Sequence, residues 1–345
     1  MTETNSIFLK ALRKEKLDVP PIWYMRQAGR YMPEYRAVRK QFKNFLDMCK
    51  NPDVCCELAL QPINAFNLDA SILFSDILTI PDALGLGVEF LEGEGPVFKN
   101  PILYPKDVKN LPEFDPNELS YVYKAVTNIR QALPIDIPLI GFCGSPWTLA
   151  AYSIEGRSSK DFKYTKEFIK VNNNEAHIFL DKLTDACFLY LKHQVNAGAD
   201  VIQIFDSWAN LLDEKNYENY SMSYIKKLIK LLKNDSETKN IPVILFARDP
   251  VFNSNVMTES GADCLSLYWK AQNLDLNFLS EKVALQGNLN PKILLEDKNT
   301  INKEVKKILA IFKDYPGYIF NLGHGITPDI NPDNVKYLTE LIRSI

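Results

Sequence analysis

Residues 22–43 concentrate the basic side chains of this sequence. Arg26, Arg30, Arg36, Arg39, Lys40 and Lys43 stand against a single acid, Glu34, giving a local charge of +5 in a chain whose net charge is −3. Arg26 and Arg30 are four apart with Gly29 between them. On a glycine-bearing loop the two guanidinium groups can converge on one anion, each offering a planar fork of donors suited to a carboxylate. A charge run is more often a solvated helix face. Here, however, the arginines are interleaved with Trp23, Tyr24, Met25, Tyr31, Met32 and Tyr35, and Gly29 and Pro33 interrupt any long helix. The composition of the segment favours an anion site.

Further polar residues follow short apolar runs along the rest of the chain. They are Ser75 and Asp76; Cys143 and Gly144 with Tyr152 a little later; Asp206, Ser207 and Trp208; Arg248 and Asp249; Tyr268 and Trp269; Gly287 and Asn288; and His324 between Gly323 and Gly325. Each has a structural alternative. Asp76, Asp206 and Ser207 are all suited to cap a following helix, and Tyr152 to be a half-buried aromatic. His177 and His193 lie in helical, apolar surroundings where a structural role fits. His324 differs, because two flanking glycines place its imidazole on an open turn. The set is cation-rich, with hydroxyls and one or two carboxylates. There is no Walker loop, no G-x-S-x-G elbow, no H-E-x-x-H and no His-Cys-Cys set. The chemistry predicted is the handling of a polyanionic small molecule without a metal or a nucleotide.

Eight short apolar runs must position these residues: 22–25, 70–74, 139–142, 201–205, 243–246, 264–267, 283–286 and 318–321. They are often β-branched and show little polar alternation, as strands buried on both faces of a parallel sheet do. Helical stretches are legible at 53–66, 120–133, 160–197 (two helices, ending at Gly198), 217–233, 256–260, 274–282, 300–312 and 333–345. Eight βα units imply an α/β fold of the (β/α)8 TIM-barrel type, a single domain over residues 1–345, with catalytic residues at the C-terminal strand ends. A doubly wound open sheet is disfavoured because no G-x-G-x-x-G follows an early strand. Residues 85–98 read as a β-hairpin inserted after the second strand, followed by an irregular proline-rich loop to residue 116. Such an insertion can overhang the active face.

At 46% hydrophobic and 24% charged residues the composition is that of an ordinary soluble globular protein. No run has the length of a signal peptide or membrane span, so the expectation is a cytoplasmic protein with no membrane and no nucleic acid partner. The six cysteines show no C-x-x-C spacing and read as reduced thiols.

These motifs resemble uroporphyrinogen decarboxylase along nearly the whole chain: PPIWYMRQAGRYMPEYRAVR, FSDIL, GFCGSPWTLAAYSIEG, QIFDSWA, LQGNL and FNLGHGI. The resemblance implies a cofactor-independent barrel enzyme of haem biosynthesis. It would remove carbon dioxide in turn from the four acetate side chains of uroporphyrinogen III, a polycarboxylate tetrapyrrole, to give coproporphyrinogen III. The family's site residues carry over onto Arg26, Arg30, Asp76, Tyr152, Ser207 and His324. The implied partners are the tetrapyrrole itself and a second copy of the chain, as a homodimer with facing clefts.

Decarboxylation leaves an electron pair that needs a sink, which a cofactor usually provides. Here a protonated pyrrole serves, and Asp76 is the fixed anion that stabilises the cationic ring. Arg26, Arg30 and His324 then bind acetate and propionate carboxylates, Tyr152 and Ser207 orient them, and Arg30 can also deliver a proton. Arg36, Arg39, Lys40 and Lys43, beyond Pro33, steer the substrate or face solvent. The sequence departs from the usual family pattern at Asn210, at Arg248-Asp249 in place of Lys-Gly, at Tyr268 in place of aspartate and at Asn290. A zinc- and cobalamin-linked methyltransferase of the same superfamily would need a His-x-Cys set, which His324-Gly325-Ile326 does not supply. A tetrapyrrole-binding protein without turnover would have little reason to keep Asp76 unpaired in the cleft.

Overall fold

Seven of the apolar runs lie side by side as one parallel sheet in a computed structural model that describes residues 5–91, 95–250 and 254–344. In chain order the strands are β1 (Ser71–Ile72), β2 (Val88–Leu91), β3 (Gly95–Phe98), β4 (Leu139–Gly144), β5 (Val201–Asp206), β6 (Val243–Ala247), β7 (Cys264–Ser266), β8 (Ala284–Leu289) and β9 (Tyr318–Leu322). The large sheet runs β1-β4-β5-β6-β7-β8-β9, every neighbouring pair parallel. Parallel neighbours need crossovers. The helices between the strands supply them, as the alternation in the sequence requires.

The first run is not a strand along its length. Residue 22 makes a single parallel bridge to Phe320. Around it the Phe320 amide donates to Pro21 O (2.9 Å), and the Asp69 amide donates to Ile22 O (2.9 Å). The segment therefore touches β9 on one side and the approach to β1 on the other. Pro20 and Pro21 have no amide proton to donate to a ladder, and the chain turns away at Arg26, whose φ is +61°. Both keep the segment short of a regular strand.

Strand alternation sorts the interior into layers. One buried cluster takes Trp23, Ala70, Ile140, Val201, Ile244, Cys264, Ala284 and Ile319, one side chain from each of the eight runs. Phe8, Ala11 and Leu12 of the helix Ile7–Leu12 pack onto it from the N-terminal side. Two residues further along the strands the layer becomes partly polar: the Trp23 indole donates to Gln286 (2.9 Å), and the Gln286 amide donates to Gln203 (3.2 Å). Above this lies a small cluster of Met25, Phe246 and Tyr268, with Phe205 and Trp269 against it. A much larger core lies outside, between the sheet and the helices.

β2 and β3 form an antiparallel pair, with Val88 opposite Phe98; the turn of the expected hairpin, residues 92–94, lies outside the described residues. The connection after it is not wholly irregular, since it carries the helix Pro105–Asn110, started by a proline at its first position. Pro33 likewise opens the helix Pro33–Arg39 instead of breaking one. The 160–197 stretch divides into Lys163–Val171 and Asn173–Asn196, and Gly198 follows at φ +117°.

Candidate active site

The C-terminal ends of the strands bring together residues far apart in sequence. Asp76 stands beyond β1. Its Oδ1 accepts the Leu78 amide at 2.8 Å, and its backbone carbonyl accepts the Thr79 hydroxyl at 3.2 Å. Asp76 is not the cap of the helix Thr79–Pro81, whose N-cap is Leu78; its Oδ1 closes a local turn onto that residue's amide. Oδ2 receives no hydrogen bond among the described residues and remains available to a ligand. Burial pushes the carboxyl up to about 6, offset by the Leu78 amide and by the Arg26 charge. At neutral pH Asp76 is thus a poorly solvated anion.

Arg26 reaches the same place from the first run. Its charge acts on Asp76, Tyr152 and His324, so groups from three βα units share the field of one guanidinium. A positive φ at a non-glycine residue costs of order 1–3 kcal/mol. Here the surroundings impose it: the Met25 amide donates to Asn321 Oδ1 (2.9 Å) and the Ile326 amide donates to Met25 O (3.0 Å). Gly325 completes the fit, since a Cβ there would lie 2.4 Å from Arg26 Cδ.

Arg30 is placed differently. Like Arg26 it is exposed, but the group it acts on is Tyr35 rather than Asp76. Its carbonyl and that of Tyr31 each accept a hydrogen bond from Arg36 Nη1 at 2.8 Å, and Arg39 Nη1 donates to Phe42 O at 2.7 Å. Arg36 and Arg39 are therefore neither free steering charges nor merely solvated. Arg36 satisfies two backbone carbonyls of the Arg30 loop, and Arg39 one in the turn that follows its helix.

Tyr152 lies on the helix Pro146–Glu155, its ring edge-on to Trp208 (5.5 Å) and to Phe162 (6.0 Å). Burial and then the Asp76 charge raise its phenol, which stays protonated as a donor. Ser207 is half-buried after β5 and makes no hydrogen bond among the described residues. It does not cap a helix. Its neighbour Asp206 is wholly buried and accepts from Ser145 Oγ (2.7 Å), Thr148 Oγ1 (3.0 Å) and Ser221 Oγ (2.7 Å). Thr148 Oγ1 in turn accepts the Trp208 amide (3.3 Å). Asp206 thus ties the Ser207-Trp208 turn to the start of the Tyr152 helix. The spacing S-P-W-T before that helix was the sequence signal for this network.

His324 is half-buried, near Phe246 and Tyr268 (ring centroids 6.2 and 6.3 Å). Burial, then the charges of Arg26 and Arg248, bring its pKa down to about 4. It is a neutral imidazole at pH 7, able to donate one hydrogen bond to a carboxylate but not a charge. Nor is its turn open. A Cβ at Gly323 would lie 2.3 Å from the Trp269 amide nitrogen, so the flanking glycines are there for close approach.

Among the described residues no group of three or more His, Cys, Asp or Glu side chains is placed to hold a metal ion, and no helix is long and apolar enough to cross a membrane. The sequence pattern of the family described as uroporphyrinogen decarboxylase (URO-D) matches residues 3–345. The chain belongs to that family. Uroporphyrinogen decarboxylase of Legionella pneumophila (strain Paris) is 48% identical over 344 residues, covering 99% of this chain and 97% of that one. Its counterpart in Alcanivorax borkumensis is 47% identical over 340 residues, covering 98% and 96%. Among solved structures, a methyltransferase from Methanosarcina mazei superposes with a TM-score of 0.77 at 22% identity, covering 97% of each chain. At that identity the likeness speaks for the fold alone.

Proposed function

We propose that the chain decarboxylates uroporphyrinogen, removing the four acetate carboxyls in turn without a cofactor to give coproporphyrinogen. The observation that carries this reading is Asp76: a carboxylate with one oxygen held by the Leu78 amide, the other unengaged, and Arg26 beside it. A fixed anion in a poorly hydrated cleft stabilises a pyrrole ring that becomes cationic on protonation, and it accepts hydrogen bonds from pyrrole N–H groups. Arg26 binds the carboxylate that is to leave or its neighbour. Arg30, on the exposed side of the same loop, receives a peripheral carboxylate. Neutral His324 and the Tyr152 and Ser207 hydroxyls donate hydrogen bonds that orient the side chains. Proton delivery from an arginine is unfavourable because guanidinium is a very weak acid; this reading assigns Arg30 the holding of a water through which a proton from bulk solvent is relayed.

The same reading takes residues 1–345 as one barrel domain, with residues 22–25 in the eighth strand position and the β2-β3 pair as an insertion after the second. It is supported by the interior cluster drawn from all eight runs and by an outer core with members from Ile22 to Ile342. It places the protein in the cytoplasm as a homodimer. Anaerobic incubation of the protein with uroporphyrinogen, followed by oxidation and a count of product carboxyl groups, tests the activity. Four remaining carboxyls are expected; a product that keeps all eight ends the proposal. Sedimentation as a monomer at micromolar concentration ends the dimer assignment.

A further inference from the structure

We infer that Arg248 is a further binding residue of this cleft, taking one carboxylate of the polyanionic substrate; the inference rests on the substrate class proposed above. Alternation along β6 sets its direction. Ile244 belongs to the interior cluster and Phe246 to the smaller cluster above it, so residue 248, two further on, continues the inward face at the cleft. The Arg248 amide donates to Asp206 O at 3.0 Å, which fixes its backbone to the end of β5. Its guanidinium stands over the Trp208 ring, 5.3 Å from the centroid. That ring also packs against Tyr152. Arg248 and Arg26 both act on the His324 imidazole, so the two arginines flank one site.

Among the described residues the guanidinium has no acidic partner: Arg248 makes no salt bridge, and the adjacent Asp249 is engaged by Lys270 at 3.1 Å. A half-buried arginine stacked on an aromatic face is held in shape while its planar donors stay unused. An incoming carboxylate satisfies both its charge and its hydrogen-bonding capacity. Lysine in this position would keep the charge and lose the stacked, two-donor geometry. Asp249 adds a local signature: it sits at φ +45°, a region that favours glycine, and is kept there by Lys270.

The test is binding, which needs no turnover and so separates this inference from the decarboxylase reading. An octacarboxylate porphyrin is titrated by fluorescence into the wild-type chain, Arg248→Met and Arg248→Lys, at several salt concentrations, with circular dichroism as a check of folding. Loss of one charge-assisted contact predicts binding about tenfold weaker or more in Arg248→Met, and a smaller loss in Arg248→Lys. It also predicts a flatter salt dependence in Arg248→Met only, because one screened attraction is gone. A purely structural role would lower affinity without changing the salt slope. Repeating the titration with a tetracarboxylate porphyrin identifies the carboxylate: a loss confined to the octacarboxylate points to an acetate, and an equal loss to a propionate. If Arg248→Met does not fold, Arg248→Gln, which retains a planar amide over Trp208, takes its place. Affinity within twofold of wild type together with an unchanged salt slope in the folded variants overturns the inference.

Discussion

Replacing Asp76 by asparagine isolates its charge from its structural work. Asparagine Oδ1 can accept the Leu78 amide as the aspartate does (2.8 Å), so the local turn is kept. What disappears is a unit negative charge facing a ring that becomes cationic. At about 4 Å and an effective dielectric near 20, that interaction is worth about 4 kcal/mol. This corresponds to about a thousandfold in rate. The ground-state tetrapyrrole is uncharged at its pyrroles, so KM should move far less than kcat. Stability should move the other way. Burial raises the folded-state pKa from 3.8 to about 6, so the native state holds its proton more tightly than the unfolded chain, and ionising Asp76 destabilises the fold as pH rises from about 4 through 6. Removing the charge should therefore stabilise the protein above pH 6, by at most about 3 kcal/mol for a shift of this size, and should have little effect near pH 3. The assays are anaerobic single-turnover kinetics across pH 5–8 and urea unfolding at both ends of that range. The wild type should show an ascending limb in kcat/KM near pH 6 that is absent from the variant. Unchanged kcat with raised KM would refute the cation-stabilising role, and destabilisation at pH 8 would refute the burial argument.

Three other outcomes follow from the geometry. In the free protein the His324 imidazole should remain neutral down to about pH 4 by NMR titration; because its folded pKa is depressed below 6.5, its contribution to stability is lost as pH falls through that window, and titration near 6.5 would contradict its placement. Gly325→Ala should displace Arg26 and raise KM by about tenfold, one lost charged contact, with a small change in Tm; Gly323→Ala, which meets the Trp269 backbone, should instead destabilise by about 1–3 kcal/mol in urea unfolding. Asp206→Ala strands the Ser145, Thr148 and Ser221 hydroxyls and should cost about 3 kcal/mol or more, while Asp206→Asn, able to keep some of those bonds, should cost less.

The sheet was legible because its strands are buried on both faces. Runs such as 201–205 and 243–246 carry no competing polar pattern, and their ends in the structure differ from the apolar limits by a residue or two. The run at 22–25 was legible as apolar but not as irregular. Only its partners, Phe320 on one side and Asp69 on the other, show that a single bridge and a few hydrogen bonds replace a ladder. Pro33 does interrupt a long helix, by opening a short one, whereas the helix that begins at Pro105 is missed in a stretch that reads as irregular loop. Proline forbids a helix interior yet favours a first turn, and only the following residues decide between the two.

From sequence alone came the polar residue types at strand ends, the cationic bias of the loop after the first run, and the motifs shared with the family. These are local properties, carried by composition and spacing. The three-dimensional arrangement decided what each residue is for. It set Arg26 against Asp76 and His324 while turning Arg30 toward Tyr35, lowered the His324 pKa by burying it beside two arginines, and made Arg36 a brace for the Arg30 loop. It also brought Arg248 onto Trp208, forty residues away in the chain. Desolvation and Coulomb interaction depend on distance and burial, and neither is defined until the strands have closed around one cleft.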